Sequence, residues 1–267
     1  MIDLHCHILP GVDDGALDVR DSLAMARQAQ ADGIETVCAT PHIRHDHPLA
    51  IEEIAARVDA LQAELAAAGV DVLIVPGGEL AQTEADRLDD EQLCAVALGG
   101  AGSPGGGDSP DGGGSPGGAE GRTVGDTGGW VLLEPAPGPL GDGLYEVVDR
   151  LAKRDMRAVI AHPERHAGAD FAERLRGLVD GGCLVQWTAE FIAQAPAGEY
   201  VMGLAREGLV HVLGSDAHSS HGGRPVNLAA GFASLARVRS PEQMDWTIRT
   251  APAAIVRGDR TLSVPAG

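Results

Sequence analysis

Apolar residues recur along the chain in two alternating rhythms. Short runs rich in β-branched residues give way to stretches with helical spacing, and the alternation repeats through most of the sequence. Ile2–Cys6 reads as a strand, Asp21–Asp32 as a helix stopped by Gly33, and Ile34–Ala39 as the next strand. In the helix that follows, Ile51, Ile54, Val58, Leu61 and Leu65 are spaced 3, 4, 3 and 4, which makes one stripe, and Gly69 closes it. Val70–Val75, Cys94–Leu98, Trp130–Leu133, Arg157–Ala161, Cys183–Trp187 and Leu209–Leu213 read as further strands. Helices are predicted over Leu144–Asp155, Ala172–Asp180 and Val201–Glu207. Repeated strand–helix units predict an α/β fold of parallel strands with helices outside. The chain has 267 residues. That is close to the about 250 typical of a single α/β barrel, so a barrel is favoured over an open doubly wound sheet. No Gly-x-Gly-x-x-Gly follows the first strand, which argues against a dinucleotide site.

Glycine interrupts this rhythm once. Fifteen of the 37 glycines lie between Gly99 and Gly129, in a Gly/Pro/Ser/Asp tract almost without apolar residues. Such a tract cannot bury enough surface to offset its ordering entropy, so it is expected to be a flexible loop without a specific function. Cys94–Leu98 and Trp130–Leu133 on either side read as strands that could pair. The expectation is one domain over 1–267, carrying an insertion at 99–129.

Composition narrows the classes of partner. The formal net charge is −19, a field that repels nucleic acid and anionic membrane surfaces. Aromatic residues make up 3%, too few for the stacking platforms of a single-strand binder. No run of 18 apolar residues exists, so membrane insertion is not expected, and Met1–His5 does not open a secretory signal. Cys6, Cys38, Cys94 and Cys183 show no paired spacing, as expected of reduced thiols in a cytoplasmic protein.

The chemistry sits where the strands end. His5 and His7 close the first strand, and His42 lies three residues past the second. Glu79 follows the third, Glu134 ends the strand after the insertion, His162 ends the next, and Asp216 and His218 follow the last. Asp14 lies in the loop after the first strand. In a barrel these carboxyl ends surround one mouth, and the period-two spacing of His5/His7 and of Asp216/His218 sends each pair to one side. Singly, these residues read as ordinary strand-end polar groups, and Asp13-Asp14-Gly15 as a turn. Together they form a set of five histidines and four carboxylates. Such a set suits Mn, Fe or Zn, without thiolates. Nine ligands exceed the needs of one ion. Three divalent ions would leave the site near +2 against four carboxylates, which suits a phosphate dianion. His45, His47, His166, His211 and His221 lack this placement and are expected to be surface or loop residues, with His45 and His47 as candidate rim contacts. Cys38 and Arg44 match the Cys-x5-Arg spacing of cysteine-dependent phosphatases. Their segment has no glycine, carries Pro41, and places Cys38 inside an apolar strand, so a thiol mechanism is rejected.

The opening Ile2-Asp3-Leu4-His5-Cys6-His7-Ile8-Leu9-Pro10-Gly11-Val12-Asp13-Asp14-Gly15 resembles that of the capsule-type protein-tyrosine phosphatases of the PHP (polymerase and histidinol phosphatase) superfamily. Thr40-Pro41-His42, Gly78-Glu79, Leu132-Leu133-Glu134, His162-Pro163-Glu164-Arg165 and Ser215-Asp216-Ala217-His218 follow in the family's order. The resemblance implies a distorted (β/α)7-type barrel and a trinuclear, usually manganese-dependent site. It also implies hydrolysis of phosphotyrosine on bacterial tyrosine kinases that control capsular or exopolysaccharide synthesis. By resemblance, His5, His7, Glu79 and Asp216 hold one ion. Glu79 bridges to a second, held also by Glu134 and His162, while Asp14, His42 and His218 hold the third. Arg165, and Arg224 six residues past His218, are the phosphate-binding arginines the resemblance implies. Two alternatives stay open at this level: a small-molecule phosphatase such as a histidinol-phosphate hydrolase, and a non-catalytic metal-binding interaction domain.

Overall fold

The computed structural model describes residues 1–100, 128–194 and 197–265. The glycine-rich insertion expected at 99–129 falls almost wholly on 101–127, outside the described residues. Strands β1 (Ile2–Cys6), β2 (Thr36–Ala39) and β4 (Leu73–Pro76) form one sheet in the order β1-β2-β4. Strands β3 (His42–Ile43), β5 (Glu79–Ala81), β6 (Trp130–Glu134), β7 (Arg157–Ile160), β8 (Leu184–Thr188) and β9 (Val212–Gly214) form the other, in that order. Every pairing is parallel.

The two sheets are continuous at a bend. Only Thr40 and Pro41 separate β2 from β3, and only Gly77 and Gly78 separate β4 from β5. The glycines are needed because the bend presses the strands together. A Cβ at Gly77 would stand 2.7 Å from Cys38 Sγ, and one at Gly78 would stand 2.8 Å from Ile43 Cγ1. At the other end the backbone laces β1 to the segment after β9. Asp216 N–H donates to His5 O at 2.8 Å, and His7 N–H donates to Ala217 O at 2.9 Å. The result is a curled parallel sheet, with helices packed outside it.

The helices α1 (Val19–Ala31), α2 (Ile54–Ala67), α3 (Asp90–Val96), α4 (Asp142–Lys153) and α5 (Phe171–Asp180) bury apolar stripes. In α2 these are Ile54, Val58, Leu61 and Leu65, and in α4 Leu144, Val147 and Leu151. The inner face of the curl is graded. On β6, Trp130 and Leu132 are followed on the same face by Glu134. On β8 Leu184 is followed by Gln186, and on β9 Val212 by Gly214. Leu4, Leu132, Val159 and Val212 form an apolar plug with Trp246 and Ile255 from the C-terminal helices. That plug fills the end where the strands begin and leaves the carboxyl ends for polar groups.

One expected strand is a helix. Cys94 and Val96 lie in α3, whose N-cap Asp89 and Gln92 form a reciprocal capping box. Five apolar residues carry no decisive period, and the acidic start Asp89-Asp90-Glu91 selects the helix. Leu98 bonds to the next strand, its N–H donating to Trp130 O at 2.8 Å. No described helix is long and apolar enough to cross a membrane.

Candidate metal centre

The strand ends converge on the polar half of the inner face. His5 Nε2 lies 3.4 Å from both Glu79 Oε2 and Asp216 Oδ1, and His7 Nε2 lies 3.3 Å and 3.7 Å from the same two atoms. Glu79, the first residue of β5, is 1% exposed. It also meets His42 Nδ1 at 2.9 Å and His162 Nε2 at 2.6 Å. Asp14, half exposed on the loop after β1, reaches His42 Nε2 at 3.3 Å and His218 Nε2 at 3.4 Å.

All nine residues named from the sequence come together. They form four overlapping groups: His7–Asp14–His42–His218, His5–His7–Asp216, His5–Glu79–His162 and His42–Glu79–Glu134. Within each group the donor atoms lie within 4.8 Å of one another. The sharing differs from the grouping the resemblance implied, since His7 falls with Asp14, His42 and His218, while His42 also falls with Glu79 and Glu134. Two cations converge on the same place. Arg165 and Arg224 both donate to Asp216 Oδ2, Arg224 Nη1 at 2.7 Å. Arg44 Nη1 stands 3.6 Å from Glu134 Oε2 on the other side of the mouth.

Burial opposes charge throughout this cluster, and the carboxylates decide who keeps a proton. Burial works against a charged His7, but the hydrogen bonds and charges of Asp13 and Glu79 outweigh it and push His7 up to about 10. His5 is raised against its burial by Glu79 and Asp216. Burial would raise Glu79, yet the charge of His5 and the hydrogen bonds of His162 and His42 hold it well below the carboxylate range. Glu134 goes up, through burial and then the charge of Glu79. His218 is driven down to about 3 by burial, His7 and Arg224, and burial also lowers His162. The field that holds protons on His5 and His7 is the field that would hold a cation between the carboxylates.

The donor set fits divalent ions. Glu79 Oε2, Asp216 Oδ1, His42 Nδ1 and His218 Nε2 are buried and lack a well-aligned hydrogen bond, although each stands close to other ligand-type atoms. Buried polar atoms without partners are costly, and divalent ions held in the separate ligand groups would satisfy them. The backbone is also held out of its ordinary range here. His162 and Asp216 have φ of 26° and 51°, left-handed conformations that cost a non-glycine residue on the order of 1–3 kcal/mol.

Three supporting residues escaped the sequence. Asp13 Oδ2 accepts from His7 Nδ1 at 2.8 Å and from the His42 N–H at 3.0 Å. Asp3 Oδ1 accepts from the His5 and Ser215 N–H groups, and burial lifts its carboxyl to about 6. Gln186 Oε1 lies 3.0 Å from His5 Nδ1. The available signal was polarity in the wrong place, an acid and an amide inside otherwise apolar strands.

Two expected surface histidines are in fact interior. His166 is buried with Nδ1 2.9 Å from Gly138 O. His211 is buried beside Trp246, its Nδ1 accepts from the Val185 N–H at 3.2 Å, and burial with Arg239 drives it down to about 4. Both are held by backbone groups of neighbouring segments, which periodicity does not reveal. His45 and His221 are exposed as expected, and His47 stacks on His42 with centroids 5.0 Å apart. Cys38 is fully buried, donates to Pro76 O at 3.3 Å and is pushed up to about 12 by burial. Iodoacetamide should therefore leave Cys38 unlabelled in the native protein and label it only after unfolding, as read by peptide mass spectrometry.

A curled parallel α/β sheet with histidines and carboxylates gathered at its strand ends offers candidate sites for metal ions. The profile described as "Capsular polysaccharide synthesis, CpsB/CapC" matches residues 1–98 and 121–257, and the chain belongs to that family. The tyrosine-protein phosphatase YwqE of Bacillus subtilis (strain 168) is 44% identical over 84 residues, 30% of this chain; the match spans 32% of YwqE, about a third of its length. CapC of Staphylococcus aureus is 24% identical over 227 residues, 82% of this chain and 77% of CapC. The fold superimposes on a chain from the crystal structures of YwqE of Bacillus subtilis and CpsB of Streptococcus pneumoniae, metal-dependent tyrosine phosphatases. There the TM-score is 0.76 and the identity 23%, over 99% of this chain and 97% of that one.

Proposed function

We propose that the chain is a metal-dependent phosphomonoesterase that hydrolyses phosphotyrosine on proteins. The observation that carries the reading is the convergence of nine imidazole and carboxylate ligands with two arginines at one mouth. Family membership supports it, as does the naming of YwqE as a tyrosine-protein phosphatase. His5, His7, Asp14, His42, Glu79, Glu134, His162, Asp216 and His218 would hold three divalent ions, Mn2+ in the first place and Fe or Zn as substitutes. Bound there, such ions lower the pKa of water to about 7 and neutralise phosphoryl oxygens.

The chain's own groups do the rest. Arg165 and Arg224 offer planar paired donors that can leave Asp216 for two phosphoryl oxygens, holding phosphorus in line between mouth and leaving group. A tyrosine phenolate, with a pKa near about 10, leaves more readily than an alkoxide, so the site can work without a strong general acid. Trp130, Leu132 and the plug beneath them keep bulk water out from below.

Three further parts belong to the same proposal. Counting β2 with β3 and β4 with β5 as two bent strands supports a seven-unit (β/α) barrel. The bond from Leu98 N–H to Trp130 O holds the two ends of 99–129 together, which supports one domain with an insertion. The free thiols and the family's link to capsular polysaccharide support a cytoplasmic enzyme acting on a bacterial tyrosine kinase of capsule synthesis. The test compares phosphate release from a phosphotyrosine peptide and from histidinol phosphate at saturating Mn2+. The proposal expects the peptide to be preferred. Preference for histidinol phosphate would move the protein into small-molecule metabolism.

A further inference from the structure

Gln186 is the one amide at the centre of the cluster. It lies in the middle of β8, fully buried, on the inner face above Leu184. Its Oε1 stands 3.2 Å from the backbone N of His162 and 3.0 Å from Nδ1 of His5. A backbone N–H can only donate, so the atom facing it is the amide oxygen and the orientation of the side chain is settled by geometry. That oxygen can only accept, so His5 Nδ1 carries a proton, and Nε2 is the ring nitrogen left to offer a lone pair to a cation. His5 Nε2 is the atom that faces Glu79 Oε2 and Asp216 Oδ1, each at 3.4 Å. The amide also has its place reserved. A Cβ on Gly214 would stand 2.7 Å from Gln186 Nε2 and 2.8 Å from the His5 Cβ, so a larger residue there would displace both.

We infer that Gln186 is a positioning residue that fixes His5 in its Nδ1–H form and thereby presents His5 Nε2 to a divalent cation. The inference rests on the reading of the cluster as a metal centre. Two of the other inward histidines are set in related ways by different groups. His7 Nδ1 faces the Asp13 carboxylate at 2.8 Å, and His218 Nδ1 faces the carbonyl of Asp216 at 2.9 Å. Gln186 differs from Asp13 in being neutral. It orients His5 without adding negative charge to a buried site that already holds Glu79, Asp216, Asp13 and Asp3. It also ties β8 to β1 and to the turn after β7, so three strand ends keep one spacing.

The test measures Mn2+ affinity of the full-length protein by competition with a chromogenic chelator, for the wild type, Gln186→Leu and Gln186→Glu. Leucine keeps the bulk and removes the acceptor, whereas glutamate keeps the acceptor. Loss of such an outer partner typically weakens a metal site about 10–100-fold, and that loss is expected for at least one ion in Gln186→Leu. Gln186→Glu should bind within a few-fold of wild type or more tightly. A residue that merely fills space would give the reverse order, with leucine tolerated and glutamate disruptive. Wild-type binding by Gln186→Leu, or loss of binding by Gln186→Glu, would overturn the inference and leave the metal centre standing. If Gln186→Leu does not fold, the glutamate variant still decides. Absence of Mn2+ binding by the wild type would sink the metal reading, and this inference with it.

Discussion

Glu79→Ala should cost the protein more than one divalent ion and lower phosphotyrosine turnover by at least about 100-fold, since even outer-shell losses weaken such sites about 10–100-fold. Glu79 belongs to two of the four ligand groups and lies within 3.4 Å of His5, His7, His42 and His162. Among the described residues no other carboxylate touches four histidines. Its removal also takes away one of the charges that raise the proton affinity of His5 and His7. Metal analysis of the purified variant, beside the wild type, gives the count. A variant with full metal content and full turnover would show that Glu79 does not bridge. Secondary structure should survive, because the apolar plug and the helix stripes do not involve Glu79.

Arg165→Ala should lower kcat/KM for a phosphotyrosine peptide by about 10²–10³-fold, the usual cost of one donor aimed at developing charge, while metal content stays at the wild-type level. The separation of the two readouts distinguishes a substrate-binding group from a structural one. Arg165 sits on the turn three residues after His162, 40% exposed at its side chain, and shares Asp216 with Arg224. Because Arg224 remains on Asp216, the ligand geometry should hold when Arg165 is cut back. Arg165→Lys should restore little, since a point charge cannot replace a planar fork. Loss of metal in Arg165→Ala would instead make its main role the anchoring of Asp216.

The site was more legible in the sequence than parts of the fold were. Each ligand follows a strand whose hydrophobic pattern is clear, and parallel strands put all such ends on one side. His5-x-His7 kept its shared side even though the register of β1 against β2 shifts between Asp3 and Cys6. The bends at Thr40-Pro41 and Gly77-Gly78 were not legible as bends, because each divides one apolar run into two strands that join different sheets. The run Cys94–Leu98 misled because its length suits either a strand or the last turns of a helix. Asp13 and Gln186 act through a second residue, and a linear pattern carries no sign of which histidine a buried amide will meet. His166 and His211 look like the ligand histidines in composition, and only tertiary placement separates a ring held by backbone groups from one facing a carboxylate cluster.

The proposed function requires that this cluster bind divalent ions and that those ions drive hydrolysis of phosphotyrosine. The most direct measurement strips the wild-type protein with a chelator, then follows phosphate release from a phosphotyrosine peptide as Mn2+ is returned. Activity should vanish on stripping and reappear only as the nine-ligand site fills, with the final increase at the third equivalent. Undiminished turnover in the stripped protein would contradict the claim.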